Sequence, residues 1–498
     1  MRILQSFSRR ECLTCASSLA LLPASYNSVA RGVAITPEKF GALGDGWTND
    51  TIAFQKMAAA INAAGGGTIE FRSGAVYILG KQTLTKHPGP LMYTPAGLGA
   101  INACTTPVTI IGNGATLKFA NGLRYGCFNA DGTAAAANTA GTRSIPSHYF
   151  EGLLTIKNCS ARVHVRDVNI DGNLPNFLIG GQDHAPGDSG WQIPGDGLMV
   201  FDNVGGEFYE NIHVKDAPRD GIMAWRSTAA AGNRKIPATF RGCTADSCGR
   251  LAFSLTGGIG YSFFNVRGTN SGSGALGSPP LAGMDIESEQ APIRDVLISD
   301  SAFYGNNNTA LVADSGDSAG IRLVRSTFVG DINWGAWLNK QFVAEECLFL
   351  GPTNVPYEDG DQSKAGKFFR CKFSDDPRLS PTGALATGNP IINGAGGSLG
   401  LNTLYDQCRI DAGHQSYGPA VNGSIFRDCT INVRSPHKIT IVNGKFRGKN
   451  RITAPSASME NLPKFVIENG GELLFNRERH IHNLEHRIAA LEQKEMSP

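Results

Sequence analysis

The chain has 498 residues, 45 Lys and Arg against 43 Asp and Glu, and a net charge of +2. No basic block marks a nucleic-acid surface, and no apolar run reaches the ~20 residues a membrane-spanning helix needs. Only 18% of residues are charged and 61 are glycine, which suits a turn-rich β protein. A length that would ordinarily divide into several domains fits a single one if the chain is a solenoid, because each coil then contacts only its neighbours.

Ser8-Arg9-Arg10-Glu11-Cys12-Leu13 opens the chain, followed by a modest apolar run over 13–22 and small residues to Ala30. This is the pattern of a twin-arginine export signal, with Cys12 where such signals usually carry Phe. The mature protein is then expected to begin between positions 26 and 31 and to be periplasmic or secreted.

Residues 40–77 read as a loop, a helix, a glycine turn and a strand. Asn49 or Asp50 is positioned to cap a helix over 49–64, and Ile52, Phe54, Met57, Ala60 and Ile61 recur at helical spacing. Gly65, Gly66 and Gly67 end it, and short strands follow at 68–71 and 76–78. A helix with one apolar face must cover something, and here it is expected to cap an open stack of β-coils. Within this stretch, FGALGDGWTNDTIAFQ followed by GGGTIEF resembles the entry segment of the pectate-lyase-like proteins. That superfamily includes polygalacturonases, polysaccharide lyases and phage tailspike depolymerases. The resemblance implies an all-β chain: a single-stranded right-handed parallel β-helix over 31–460, with an N-terminal capping helix.

Residues 108–115 carry a clear strand and turn, and from about 153 a loose repeat sets in. Its unit is a polar or Cys residue, a variable one and an apolar one, as at Ser301-Ala302-Phe303, Ser326-Thr327-Phe328, Cys347-Leu348-Phe349, Cys371-Lys372-Phe373, Cys408-Arg409-Ile410 and Cys429-Thr430-Ile431. Several steps are 21 to 25 residues, the length of one three-strand coil. A second column interleaves with the first. Strict alternation there points Leu198, Val200, Ile222, Ala224, Met284, Ile286, Leu311, Ala313, Ala336 and Leu338 inward. Met199, Met223, Asp285 and Trp337 then form one outward row, and Phe201, Trp225, Glu287, Asp314 and Asn339 the next. Gly/Pro-rich insertions at 174–194, 269–280 and 374–400 are expected to wall that face.

Nine cysteines follow the signal, an odd number without zinc spacing, so they are expected to be free residues stacked in the core. After Pro463 the chain turns charged. Ile481, Leu484, Ile488 and Leu491 fall at a and d of two heptads, which fits either a packed tail helix or a trimerising zipper over 461–498.

Asp285 and Glu287, two apart in Gly283-Met284-Asp285-Ile286-Glu287, project from one face and are expected to be at least partly exposed. Asp314 and Asp317 lie one coil later, about 4.8 Å along the stack. Asp196 and Asp220 precede the two earlier strands, with Arg250 nearby. Crowded carboxylates raise one another's pKa, as a general acid requires, and Trp225 and Trp337 can stack on sugar rings. The expected catalytic group is therefore Asp285, Glu287, Asp314, Asp317 and Asp220. Asp196, Trp225, Arg250, Trp337 and Asn339 are expected to hold substrate. The competing reading is a row of solvated acids with ordinary Asp-Gly turns.

Asp196 and Asp220 before Gly-apolar strands resemble polygalacturonases, but their N-T-D, D-D, G-H-G and R-I-K motifs are not intact. The W-x-D-H signature of calcium pectate lyases is missing, though Arg250 or Arg219 could serve as a base. Glu287 with Asp314 and Asp317 is similar in kind to tailspike depolymerases. Three readings stay open: a glycoside hydrolase that needs no cofactor, a polysaccharide lyase with or without calcium, and a non-catalytic carbohydrate-binding β-helix. In each the partner is a polysaccharide.

Overall fold

The computed structural model describes residues 34–86, 91–126, 128–135, 152–180, 195–233, 236–274, 277–313, 316–338, 341–355, 363–393, 402–434, 439–454, 466–467 and 472–476. The export signal, the tail heptads, Cys127, Asp314 and Asn339 lie outside these residues.

The lid forms where the periodicity places it, as a helix over Thr51–Ala64 that buries Ala53, Phe54, Met57, Ala58 and Ile61. Ile52 falls outside that stripe and is 44% exposed. Phe54 closes against Phe71 and Tyr77, with ring centroids 5.8 and 5.1 Å away. The expected caps act differently. The Asp50 carboxylate accepts the backbone N–H groups of Leu43 and Gly44 (2.8 and 3.0 Å), so it ties down the preceding loop. At the other end Gly66 has φ +142°, and a Cβ there would lie 2.3 Å from the Thr106 carbonyl oxygen. Only glycine fits both demands.

Beyond the lid, parallel strands stack into a 27-stranded and a 12-stranded ladder. The larger ladder is bent. Val163–Asp171 and Glu207–Lys215 run through the corner, so that Glu207–Lys215 pairs with both Ala238–Arg241 and Thr244–Asp246. Each regular coil thus contributes two strands to this ladder and one to the smaller. One residue at each corner takes left-handed φ, among them Asp167, Asn211, Asn265, Asp300, Arg325, Glu346, Arg370 and Asp428. That conformation is costly for residues with a Cβ. Here side-chain pairs between corners offset part of the cost: Asn211 to Asp167 (3.0 Å), Arg325 to Asp300 (2.7 Å) and Arg370 to Glu346 (3.0 Å).

The alternation expected in the second column holds. All ten inward residues from Leu198 to Leu338 are at most 2% exposed. Eight described cysteines are free and buried, and burial pushes the Cys159 and Cys243 thiols up to about 12. Strand pairing continues past the expected boundary at 460, since Lys449–Thr453 pairs with Glu472–Asn476. Among the described residues no helix is long and apolar enough to cross a membrane.

Candidate active face

The 12-stranded ladder carries the candidate site on its outer face, and its register brings the expected rows together. Thr155, Met199, Met223, Ser254, Asp285, Val312, Trp337 and Asn354 are successive partners in one row. In the next row Phe201 pairs with Trp225. Hydrogen bonds from Thr256 N to Ala224 O (3.2 Å) and from Glu287 N to Leu255 O (3.0 Å) continue that row through Thr256 to Glu287. Phe201 and Trp225 stack at 5.0 Å with their planes 4° apart, and the Lys157 ammonium lies 5.4 Å from the Phe201 ring centre. Trp337 meets Trp334 edge-on at 6.0 Å.

At the start of these strands the acids do not stand open. Arg219 grips Asp196 through Nε and Nη2 (2.9 and 2.7 Å), and Arg250 grips Asp220 the same way (2.8 and 2.6 Å). Arg219 also lies 3.9 Å from Asp220, so the four side chains form one alternating ladder across three coils. Asp196 and Asp220 are 2% and 0% exposed. Burial works against the Arg250 charge, but the Asp220 carboxylate outweighs it and holds the guanidinium above its ordinary range.

Asp285 departs from expectation as well. It faces outward between Met284 and Ile286 but is only 5% exposed. Its row neighbours on either side are Ser254 and Val312. The strand ends at Ile286, and the backbone then bulges: Glu289 N–H donates to the Glu287 carbonyl (2.8 Å) before Gln290 rejoins Thr256 (2.8 Å). This bulge throws two acids to the surface on the same side. The Glu287 and Glu289 carboxyls are in hydrogen-bond contact, and Glu289 is pushed above the usual carboxylate range. Partial desolvation is the main cause, followed by the Glu287 charge, with Arg250 opposing.

Glu289 and the Arg219 clamp are what the alternation pattern missed. Glu289 sits beyond the strand end, where period two no longer applies. The spacing Glu287-Ser288-Glu289 was the available signal. Asp317 lies beside this bulge, where Gly316 packs on Ser288, but its carboxylate pairs with Arg294 at 2.6 Å. Among the described residues no group of three or more His, Cys, Asp or Glu side chains is arranged to hold a metal ion.

No protein-family model matches the chain, and no curated protein sequence matches it. Solved structures match its shape. The A-module of mannuronan C-5 epimerase AlgE4 from Azotobacter vinelandii aligns with a TM-score of 0.50 at 15% identity, over 89% of this chain and 100% of that one. The N-terminal fragment of bacteriophage phi29 gene product 12 aligns with a TM-score of 0.50 at 13% identity, over 89% of this chain and 71% of that one. Likeness at such identity is likeness of fold. In its coil ladders and its capped entry segment, the chain has the fold of a parallel β-helix.

Proposed function

We propose that this protein binds and chemically modifies a polysaccharide on the outer face of the smaller ladder, as a glycoside hydrolase. The contact between Glu287 and Glu289, beside a buried Arg–Asp ladder, carries this reading. Glu289, whose carboxyl is held above the usual range by partial desolvation and by the neighbouring Glu287, keeps its proton longer than an ordinary glutamate and donates it to the leaving glycosidic oxygen. Carboxyls in mutual contact are closer than the roughly 5 Å or more that flank a scissile bond, so the pair acts as one acid. Asp285, on the same face, supplies the second carboxylate. The stacked Phe201 and Trp225 offer a flat platform for sugar rings. A solved structure of similar shape is named for an activity on mannuronan, which supports the fold as a host for glycan chemistry and says nothing of this reaction.

The state of Arg250 favours hydrolysis over elimination by that residue. An arginine must give up a proton before it can abstract one, and Asp220 makes Arg250 a weaker acid than usual. Export before function agrees with the eight buried thiols, because a chain exported folded acquires its core in a reducing cytoplasm. Replacing Arg9 and Arg10 by Lys should then hold the precursor inside the producing cell.

A panel of polysaccharides, followed by new reducing ends and by ultraviolet absorbance, tests the activity. Hydrolysis yields reducing ends without an absorbing unsaturated sugar. Glu289→Gln should lower turnover by about 10²–10⁴-fold while the fold persists. Wild-type rates in both Glu287→Gln and Glu289→Gln, or an absorbing product, would sink the reading.

A further inference from the structure

We propose that Trp334, Trp337 and Asn354 form a second sugar subsite on this face, across the acids from Phe201 and Trp225, so that a glycan chain is cut internally. The inference rests on the site reading above and specifies how that site takes its polymer.

The register fixes the order along the stack. In the row of Asp285 the successive partners are Met223, Ser254, Asp285, Val312, Trp337 and Asn354. Trp225 shares the strand of Met223, so it stands two coils before the coil that carries Asp285, Glu287 and Glu289. Trp337 stands two coils after it. At about 4.8 Å per coil, the two aromatic platforms lie roughly 19 Å apart with the acids midway. A chain that follows the stack from one platform to the other passes Glu287 and Glu289 and continues in both directions. An enzyme that trims chain ends needs its acids at one end of the binding surface, and here they sit in its middle.

The second subsite is shaped in advance. Trp337 faces outward from its strand and is half-buried. Trp334 meets it at 78°, so one ring offers a floor and the other a wall. Trp334 stands on a turn tied down at two points. Asn333 donates to Asn308 through its backbone N–H and its side-chain amide (3.1 and 2.9 Å). Asp331 accepts the Gly305 N–H (2.6 Å) and the Thr382 hydroxyl. A platform held this way loses little freedom when a sugar ring settles on it. Next in the row, Asn354 points outward as Trp337 does and is 5% exposed. Its side-chain carbonyl oxygen is buried and accepts no hydrogen bond among the described residues. Leaving such an oxygen unpaired is costly, and a sugar hydroxyl seated against Trp337 would donate to it.

Binding is measured on the full chain carrying Glu289→Gln, so that long oligomers stay whole. The probes are disaccharides and octasaccharides of a neutral β-glucan, chitosan, mannuronan and polygalacturonate. In the series that binds best, the octasaccharide should bind at least about tenfold more tightly than the disaccharide, because only the longer chain reaches both platforms. Trp225→Ala and Trp337→Ala should each bring it down toward the disaccharide's affinity. Asn354→Ala should weaken the octasaccharide by about two- to tenfold. The wild-type protein gives an independent reading: on the polymer of that series, viscosity should fall well before reducing ends accumulate. Equal affinity for both lengths in every series that binds, or release of only mono- and disaccharides from the first sampling, overturns internal cutting and leaves the acids standing. Octasaccharide binding untouched by both Trp337→Ala and Asn354→Ala overturns the second subsite. No binding in any series overturns this inference together with the site on which it rests.

Discussion

The coils between Ser301 and Asn450 and those between Asp196 and Glu289 share one three-strand unit, yet they fill it with different chemistry. In the later coils the interior repeats. Phe303, Phe328, Phe349 and Phe373 stack face to face at 5.6, 5.3 and 5.0 Å. Beside them a column of Ser301, Ser326, Cys347, Cys371, Cys408 and Cys429 returns hydrogen bonds to the backbone, as from Ser326 Oγ to Val324 O (2.9 Å) and Cys347 Sγ to Glu345 O (3.4 Å). In the earlier coils the interior holds an ion pair. Arg226, 1% exposed, grips Glu207, 2% exposed, and donates to the carbonyls of Ile259 and Gly260. Glu207 also accepts from Tyr209 (2.7 Å) and Asn203 (2.9 Å). A stack of like side chains holds coils in register without choosing among them. A buried ion pair satisfies only one arrangement, and this one immediately follows Trp225 and donates its backbone N–H to Gly257, next to Thr256 (3.0 Å). The charged interior therefore adjoins the row of the face that holds Trp225 and Thr256.

The sharpest way to break this contrast is to remove one charge. Arg226→Met leaves Glu207 buried without its counter-charge and should cost about 3–5 kcal/mol of stability in denaturant unfolding. Glu207→Gln/Arg226→Met together should recover much of that loss, because an apolar isostere often replaces a buried pair without penalty. If the pair also positions the face, glycan binding stays weakened in the recovered double variant. Full binding there would reduce the pair to a packing device.

The later coils should forgive more. Phe349→Leu keeps the residue apolar and close in volume, and should cost less than about 1.5 kcal/mol. Glycan binding should be unchanged. A loss as large as that of Arg226→Met would show that the stack is as exacting as the ion pair. Smaller still is Cys371→Ser. Serine already occupies the same column at 301 and 326, so the hydroxyl inherits a hydrogen bond to the backbone, and the change should stay within about 1 kcal/mol.

The two regions were unequally legible in the sequence. Every residue the alternation placed inward from Leu198 to Leu338 is inward, because a buried strand allows no slip of one residue without exposing its whole apolar face. The repeat of Ser/Cys and Phe gave the later coils for the same reason. The site was read less well. Asp285 was correctly placed outward, but its near-complete burial depends on what adjoining coils put beside it, which one strand cannot report. Asp196 and Asp220 looked like free acids since their partners, Arg219 and Arg250, sit 23 and 30 residues away. Glu289 escaped because a bulge, unlike a strand, has no period to count.

Glu289 also gives the faintest effect, and the one whose sign is most informative. Its carboxyl is pushed up in the folded protein, by partial desolvation first and by Glu287 second. A carboxyl with a raised folded pKa holds its proton more tightly when folded than when unfolded. The folded state therefore binds more protons between the ordinary glutamate value and the raised one, and stability falls as pH climbs through that window. Below it both states are protonated, and the contribution vanishes. Glu289→Gln removes the penalty, so at pH 7 the variant should be slightly more stable than wild type, and below the window the two should match. The side chain is exposed, so water screens the interaction and the gain should stay within about 0.5 kcal/mol. Paired melting curves from acid to neutral pH measure it. A variant less stable at pH 7 would mean that Glu289 is held by favourable partners, and Glu289 would be lost as the acid of the site.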